Sequence, residues 1–259
     1  IDLFGLFKKY LLKMKSINII SISDGNEEDL NKTILSVKSQ SIKKYKHIII
    51  AKKLSKKFIK NNKYNKLFFI VGKDKSRYDA MNIGENISNK KYVLYLNSGD
   101  IFYSNKSLHY IFHKLIFKSN LNGQFVSVLK YKNYFFYPRK SFFNNNNSLT
   151  HSSFIRAPIK KKKQILFNTE HLITADGDWM KKNIRINGIK KFYIPISLFS
   201  LDGISTLPSL KTINIKKKLG SVNFFKEIIK FILVKTLSRT LFYKLIYCTK
   251  YKVKNEKIY

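Results

Sequence analysis

An α/β fold, with a mostly parallel central sheet covered by helices on both faces, is what this 259-residue sequence predicts, on three observations. Apolar runs of strand length recur between residues 17 and 96, with segments of helical spacing between them. Runs such as "LFFIVG" and "KYVLYL" are apolar at nearly every position rather than at alternate ones, the pattern of strands buried on both faces. The 44% hydrophobic and 15% aromatic content is enough to fill a core in a chain of this length.

The elements follow in order. "INIISIS" from Ile17 reads as the first strand, and "DGNEEDLNKTILSVKSQ" as a helix with Leu30, Ile34 and Val37 on one face. Asp24 with Glu27 three residues on gives a capping-box signal, so Asp24 is expected to cap that helix. "YKHIIIA", "LFFIVG" and "KYVLYL" read as the second, third and fourth strands, joined by short helical connectors. This alternation makes a parallel sheet, and ligands of such sheets sit beyond the carboxyl ends of the strands. Ser98-Gly99-Asp100 follows the fourth strand at such an end.

Next, "SNKSLHYIFHKLIFKSN" carries Leu108, Ile111, Phe112 and Leu115 at helical spacing, with Ser104 and Asn105 as candidate caps, and "GQFVSVLKYKNYFFYP" reads as a strand or hairpin. His109 and His113 are four residues apart, but no carboxylate accompanies them in that helix, which favours a structural role over a metal pair. "SFFNNNNSL" reads as a polar loop. "HSSFIR", "LITADGDWMKKN" and "FYIPISLFSLDGIST" follow, and beyond Pro208 the chain becomes a basic amphipathic helical tail. The expected organisation is an N-terminal extension at 1–13, a main domain at 14–208 with halves 14–103 and 104–208, and a tail at 209–259.

With 51 basic and 15 acidic residues the net charge is +36, which suits nucleic acid, since neutralising phosphates releases counterions. Only Arg77, Arg139, Arg156, Arg185 and Arg239 are arginines, however, and the lysines are scattered among Asn and Ile. That mixture reads as compositional drift rather than selection for bidentate phosphate or base contacts, which favour Arg. The single cysteine, Cys248, excludes an intramolecular disulfide and a Cys-based zinc site and is compatible with a reducing cytoplasm. No run approaches the ~20 apolar residues of a spanning helix. The opening "IDLFGLFKKYLLKMKS" lacks a small-residue cleavage site and is not read as a signal peptide.

In so basic a chain the acids gathered in "KDKSRYDAMNIGENISNKKYVLYLNSGD", residues 73–100, are the first candidates for chemistry. Taken with "TILSVKSQS" before them and "HSSFIR", "TADGDWM" and "LDGIST" after them, "DKSRYDAMNIG" and "YLNSGD" carry a resemblance. The chain resembles family-2 glycosyltransferases of the GT-A fold, in the branch that builds bacterial surface polysaccharides. Residues 17–100 and 151–206 carry the likeness.

The resemblance implies a cytoplasmic, inverting enzyme that moves a sugar from a nucleotide diphosphate donor, a UDP-sugar in the first instance, to a hydroxyl of a lipid-linked glycan. It also implies a divalent cation, Mg2+ or Mn2+, because the departing diphosphate is a dianion and such ions take oxygen ligands. Asp100 is the implied metal ligand, Asp176 the base for the acceptor hydroxyl, and Asp178 a second carboxylate. Ser23, Asp74, Lys75, Tyr78, Asp79, Asn82, Asn97 and Ser98 are the implied donor-pocket residues, and His151 orients the diphosphate or the acceptor.

Each assignment has a structural alternative. Asp79 either lines the donor site or complements the dipole of the short helix it begins. Asp100 either binds metal or forms a turn after Gly99, Asp176 and Asp178 serve chemistry or the first turn of their helix, and His151 acts or packs. Two departures from the family pattern stand out. Ala51 occupies the place after the second strand where many relatives carry a nucleoside-contacting Asp, and "LNSGD" lacks paired carboxylates, leaving Asn97 as a weaker oxygen. Lys52 and Lys53 offer compensating charge to phosphates. A basic nucleic-acid-binding protein and a degenerate GT-A scaffold are the other readings, the latter supported by Ala51 and opposed by Asp100 and Asp176. The tail predicts either peripheral contact with an anionic membrane or packing of Phe224, Ile228, Phe231 and Leu233 onto the main domain.

Overall fold

β1 (Ile17–Ser23) is buried along its whole length and divides its side chains between two cores. Ile17 and Ile19 join one apolar cluster, Ile20 and Ile22 another, as the period of two in a strand requires. β2 (Tyr45–Ala51), β3 (Leu67–Val71) and β4 (Tyr92–Tyr95) lie beside it in the order β4-β1-β2-β3, all parallel, as the sequence predicts. The computed structural model describes residues 15–88, 91–144, 149–159, 164–170, 173–201, 207–218, 224–246 and 249–253. The expected extension at 1–13, most of the asparagine run and the larger part of "LDGIST" fall outside the described residues.

α1 (Glu27–Lys38), α2 (Lys56–Asn61) and α3 (Arg77–Ser88) connect these strands. The cap of α1 corrects the sequence expectation. Asn26, in extended conformation, accepts the Asp29 amide, whereas Asp24 accepts the Asn26 amide one step earlier. Gly25, at φ +114, turns the chain between them and so moves the helix start two residues past Asp24.

After β4 come β5 (Ile101–Phe102), α4 (Ser107–Ile111, running on as a π turn over Phe112–Ile116), β6 (Asn122–Tyr131) and β7 (Tyr134–Pro138). β6 and β7 pair antiparallel, so the expected strand or hairpin is a hairpin, turned at Lys132 with φ +51. α5 (Lys140–Asn144), a 3-10 turn (His151–Ser153), β8 (Phe154–Arg156), α6 (Ala175–Asn187) and β9 (Ile189–Ser200) follow. The sheet extends from β4 through β8, β6 and β7, and β9 joins β6 in parallel and β5 antiparallel.

Val37 of α1 and Leu108, Phe112 and Leu115 of α4 cover one face of the sheet, and Met81 of α3 with Trp179 and Met180 of α6 cover the other. Ser104 and Asn105 do not cap α4 with a side chain; its N-cap position is Lys106, and Ser104 Oγ accepts the Lys106 amide instead. His109 and His113 are exposed, with ring centroids 4.2 Å apart.

Two polar struts cross the core. His47 of β2 is fully buried, with Nε2 2.9 Å from Ser21 Oγ and Nδ1 3.3 Å from Tyr64 Oη. Arg156 and Glu85 form a fully buried ion pair, Nε to Oε2 2.9 Å, and the guanidinium also donates to the carbonyls of Ser88, Lys91 and Ala157. Tyr95 donates its hydroxyl to Glu85, so β4, β8 and α3 are tied at one point.

The tail forms α7 (Leu210–Lys218), α8 (Phe224–Thr236), α9 (Arg239–Ile246) and β10 (Thr249–Val253), the last paired with β7 at the sheet edge. Phe242 and Tyr243 are buried with Leu129, Tyr131 and Phe136, and Leu233, Val234 and Leu237 pack against that cluster. Of the four residues weighed for back-packing, Leu233 does so, Ile228 and Phe231 are half-buried, and the Phe224 side chain lies outside the described set.

Candidate active site

Strand order reverses at β1, with β2 and β3 on one side and β4 on the other, and beyond the carboxyl ends at such a point a doubly wound sheet leaves a crevice. The loop after β4 stands there. Its ladder to β1 continues past the strand, Leu96 donating to the Ile20 carbonyl and Ser98 to that of Ile22, before Gly99 at φ +92 turns the chain. Asp100 then donates its amide to the Asn97 carbonyl at 2.9 Å, closing a tight turn. Thr33, buried on α1, clamps it: its hydroxyl accepts the Gly99 amide at 3.1 Å and donates to the Asp100 carbonyl at 2.8 Å. Ser36 on α1 and Gln40 just beyond its end hold Phe102, Ser104 and Leu108 further along.

Asp100 is buried. Its Oδ1 accepts the Ser200 amide at 3.2 Å and its Oδ2 lies 3.2 Å from His151 Nε2. The other ring nitrogen, Nδ1, lies 3.5 Å from Asp176 Oδ2. The two carboxylates expected to act, far apart in sequence, thus meet across one imidazole. His151 is presented by the 3-10 turn, whose neighbouring hydroxyls dock on β6 and β9: Ser127 Oγ lies 2.5 Å from Thr150 Oγ1, 3.0 Å from Ser152 Oγ and 2.8 Å from Ser197 Oγ.

Asp176 is carried by the first turn of α6, which Trp179 anchors by stacking on Phe167 at 4.7 Å with the edges of Tyr95 and Phe154 around it. Thr174, just before the helix, adopts φ +83, an unfavourable conformation for a β-branched residue, and its hydroxyl is buried without a partner.

The electrostatics follow from this enclosure. Burial works against the charged ring of His151, but hydrogen bonds and charge attraction from Asp100 and Asp176 outweigh it and raise its pKa to about 9. Burial works against the Asp176 carboxylate too, and His151 and the Gly177 amide overcome it, leaving its pKa below the ordinary value. An imidazolium carries protons on both nitrogens, so Asn97, whose amide lies 3.0 Å from Nε2, must offer its oxygen to the ring in that state.

The remaining sequence candidates divide. Tyr78 is buried, stacks on Phe167 and is held protonated by burial and by the nearby Asp176 charge, so it belongs to the cluster. Ser98 Oγ and Asp74 Oδ1 are buried atoms without a partner. Asp79 accepts the Lys75 amide at 2.8 Å while its own amide donates to Ser76 Oγ, a reciprocal cap at the start of α3. Lys75 is exposed.

Asn82 uses both ends of its amide on the Phe167 backbone, 2.7 and 3.0 Å, and so fixes the ring that supports Tyr78 and Trp179. Ser23 accepts the Gly25 amide at the end of β1, Asp178 lies 4.0 Å from Lys181 Nζ, and Ala51 is fully buried. The sequence candidates do not include Thr33, Thr174 or Arg156. The signal for Thr33 was available: with Leu30, Ile34 and Val37 it falls on the apolar face of α1, where an isolated hydroxyl needs a partner.

No protein-family model and no curated protein sequence matches the chain. Solved structures do. S. aureus TarS superposes with a TM-score of 0.56 at 14% identity, over 89% of this chain and 45% of that one. TarS 1–349 in complex with UDP-GlcNAc gives 0.58 at 12%, over 89% and 75%. A mannosyltransferase from Pyrobaculum calidifontis, in complex with GDP-Man and Mn2+, gives 0.51 at 12%, over 95% and 75%. This chain therefore spans less than half of the longer TarS chain. At such identities the likeness is one of fold, and the fold is of the GT-A type that the sequence predicts.

Proposed function

We propose that this protein is a glycosyltransferase that moves a sugar from a nucleotide diphosphate donor to a hydroxyl of a lipid-linked surface glycan, with inversion at the anomeric carbon. One observation carries the reading: Asp100 and Asp176 meet at His151, at the carboxyl edge of the sheet where its strand order reverses. The nucleotide sugars bound by structures of the same fold support the donor class, a UDP-sugar first. The half at 14–103 takes the donor and the half at 104–208 the acceptor, on the cytoplasmic face of the cell membrane.

Asp176 is the base in this reading. Its carboxylate is ionised at neutral pH and partly exposed, so an acceptor hydroxyl reaches it. As the acceptor oxygen bonds to the anomeric carbon and the bond to the diphosphate breaks, the hydroxyl proton becomes acidic and passes to Asp176. A low pKa therefore suits a proton transfer that comes late. His151 and Asn97 fix the orientation of both carboxylates, while Tyr78, Ser98, Asp74, Ser23 and Lys75 line the donor side. Asp178 is a second carboxylate at the acceptor edge.

A divalent cation, Mg2+ or Mn2+, is tested by the donor set. Among the described residues no group of three or more His, Cys, Asp or Glu side chains is arranged to hold a metal ion. Asp100 and the partnerless Ser98 hydroxyl are hard oxygen donors on one loop, which fits an ion completed by diphosphate and water. When bound there, it offsets the charge growing on the leaving diphosphate.

The test is a panel of UDP-, GDP-, dTDP- and CMP-sugars, with and without Mg2+ or Mn2+, read by calorimetry and by slow donor hydrolysis. One class should bind and turn over, and silence across the panel overturns the reading. Ala51, buried where a polar nucleoside contact is expected, favours one rival, a scaffold that has lost turnover. Binding without hydrolysis or transfer would select it.

A further inference from the structure

We infer that the exposed face of α8 and α9 is a docking surface for an anionic lipid bilayer. Among the described residues, six of the thirteen large exposed hydrophobic side chains fall in the short stretch from Leu210 to Leu245. On α8 they are Phe225, Ile229 and Ile232, exposed by 75, 56 and 54%, at the i, i+4, i+7 spacing of a single helical stripe. Leu241 and Leu245 repeat the pattern at i, i+4 on α9. The opposite sides are committed to the main domain, through Leu233, Val234 and Leu237 of α8 and Phe242 and Tyr243 of α9. The two helices are thus held as a ledge with an apolar outer face.

Charge identifies the occupant. Residues 209–259 contain twelve lysines and one arginine against two glutamates, and of these acids only Glu227 falls in α7 to α9. Glu227 is buried and bridges to Lys230 at 2.6 Å. Among the described side chains of α7 to α9, Lys217, Lys235, Arg239 and Lys244 are exposed, and no exposed acid lies between 207 and 246. A nucleic acid has no use for the stripe, and a purely apolar partner none for the lysines. A bilayer with anionic headgroups uses both, taking the stripe to the depth of its acyl boundary and the lysines at its headgroups. Among the described residues no helix is long and apolar enough to cross a membrane, so the ledge lies in the interface plane.

The ledge is also tied to the site. Tyr243 donates its hydroxyl to the Leu201 carbonyl at 3.4 Å, and the preceding residue, Ser200, donates its amide to Asp100. Docking would hold the carboxyl edge of the sheet at a fixed height over the membrane. That purpose rests on the glycosyltransferase reading, because a lipid-linked acceptor has to be met there. The surface itself does not rest on it.

The test compares the full chain with the triple variant Phe225→Ser, Ile229→Ser, Ile232→Ser, whose side chains are exposed and stand apart from Leu233, Val234 and Leu237 in the packed cluster. Flotation uses vesicles of phosphatidylcholine alone and of phosphatidylcholine mixed with phosphatidylglycerol, with circular dichroism as the control on folding. The wild type should float with the anionic vesicles only, less so in high salt, and the variant should bind about tenfold more weakly or worse. A wild type that stays unbound, or a variant that floats equally well, overturns the inference. So does a wild-type dimer in sedimentation that the variant abolishes, for then a second copy covers the stripe. Nucleotide-sugar binding, measured on both proteins without vesicles, separates a failure of this surface from a failure of the proposed activity.

Discussion

His47 and His151 are the same side chain in two enclosures, and they respond in opposite directions. His47 sits in mid-strand between the hydroxyls of Ser21 and Tyr64, which cannot offset a positive charge, so burial lowers its pKa to about 3. His151 sits at the strand ends between two carboxylates, and their attraction outweighs burial and raises it to about 9. The first arrangement is a neutral strut. The second concentrates charge at a partly open edge, with a strained Thr174 and partnerless hydroxyls beside it. Buried charge clusters are seldom a net gain in stability, so this one calls for a functional explanation.

The largest effect that would break the comparison lies on the acid side. A folded pKa of about 3 means that His47 refuses a proton which the unfolded chain accepts below pH 6.5. Stability should therefore fall as pH drops from 6.5 toward 3, by roughly 5 kcal/mol in full. Between pH 6.5 and 4 the Asp176 contribution remains intact, because its lowered pKa is lost only at lower pH. Urea midpoints in that window should drop for the wild type and stay level for His47→Gln.

Next in size, Asp176→Asn should cost transfer roughly 10²-fold or more, the usual loss of a general base, while donor binding persists. It should also lower the midpoint of His151 by removing one of its two carboxylates. Asp100→Ala should weaken cation-dependent donor binding instead. Wild-type turnover in both variants, measured in steady-state assays, would leave the charged enclosure without its function.

The alkaline side should show the opposite sign to His47. The raised pKa of His151 gives stability that is present below pH 6.5 and lost as pH rises through about 9. That loss should amount to about 2 kcal/mol once solvent at the rim is allowed for, and His151→Gln should remove it. Smallest of all, Thr33→Val should cost about 1 kcal/mol in denaturant unfolding by freeing the Gly99 amide, with a rise in KM for the donor as the Asp100 loop loosens.

Much of the fold was legible because buried parallel strands write themselves as apolar runs, and β1 to β4 appear where "INIISIS", "YKHIIIA", "LFFIVG" and "KYVLYL" place them. The cap of α1 was misplaced because Gly25 adds a turn that a Ser/Asp-to-Glu spacing rule does not see. At the site, Asp100, His151 and Asp176 were named from motifs, but their meeting depends on Thr33, the hydroxyls around Ser127 and the anchoring of α6 by Trp179, contacts between residues remote in sequence. Asp79 and Asn82 show the converse: the motif carries them, and the geometry uses one to cap α3 and the other to hold Phe167. The tail expected to be amphipathic and helical forms, among the described residues, three helices and a strand, since turns between short helices leave the 3.6-residue period almost undisturbed.

The most direct test of the account is an NMR titration of the imidazole resonances, assigned with His47→Gln and His151→Gln, without and with the nucleotide-sugar panel and Mg2+. The account predicts that His151 titrates at about pH 9 and shifts on adding one nucleotide class, while His47 stays neutral and unmoved from pH 5 to 8. A His151 that titrates near 6.5 and ignores every nucleotide sugar would contradict it.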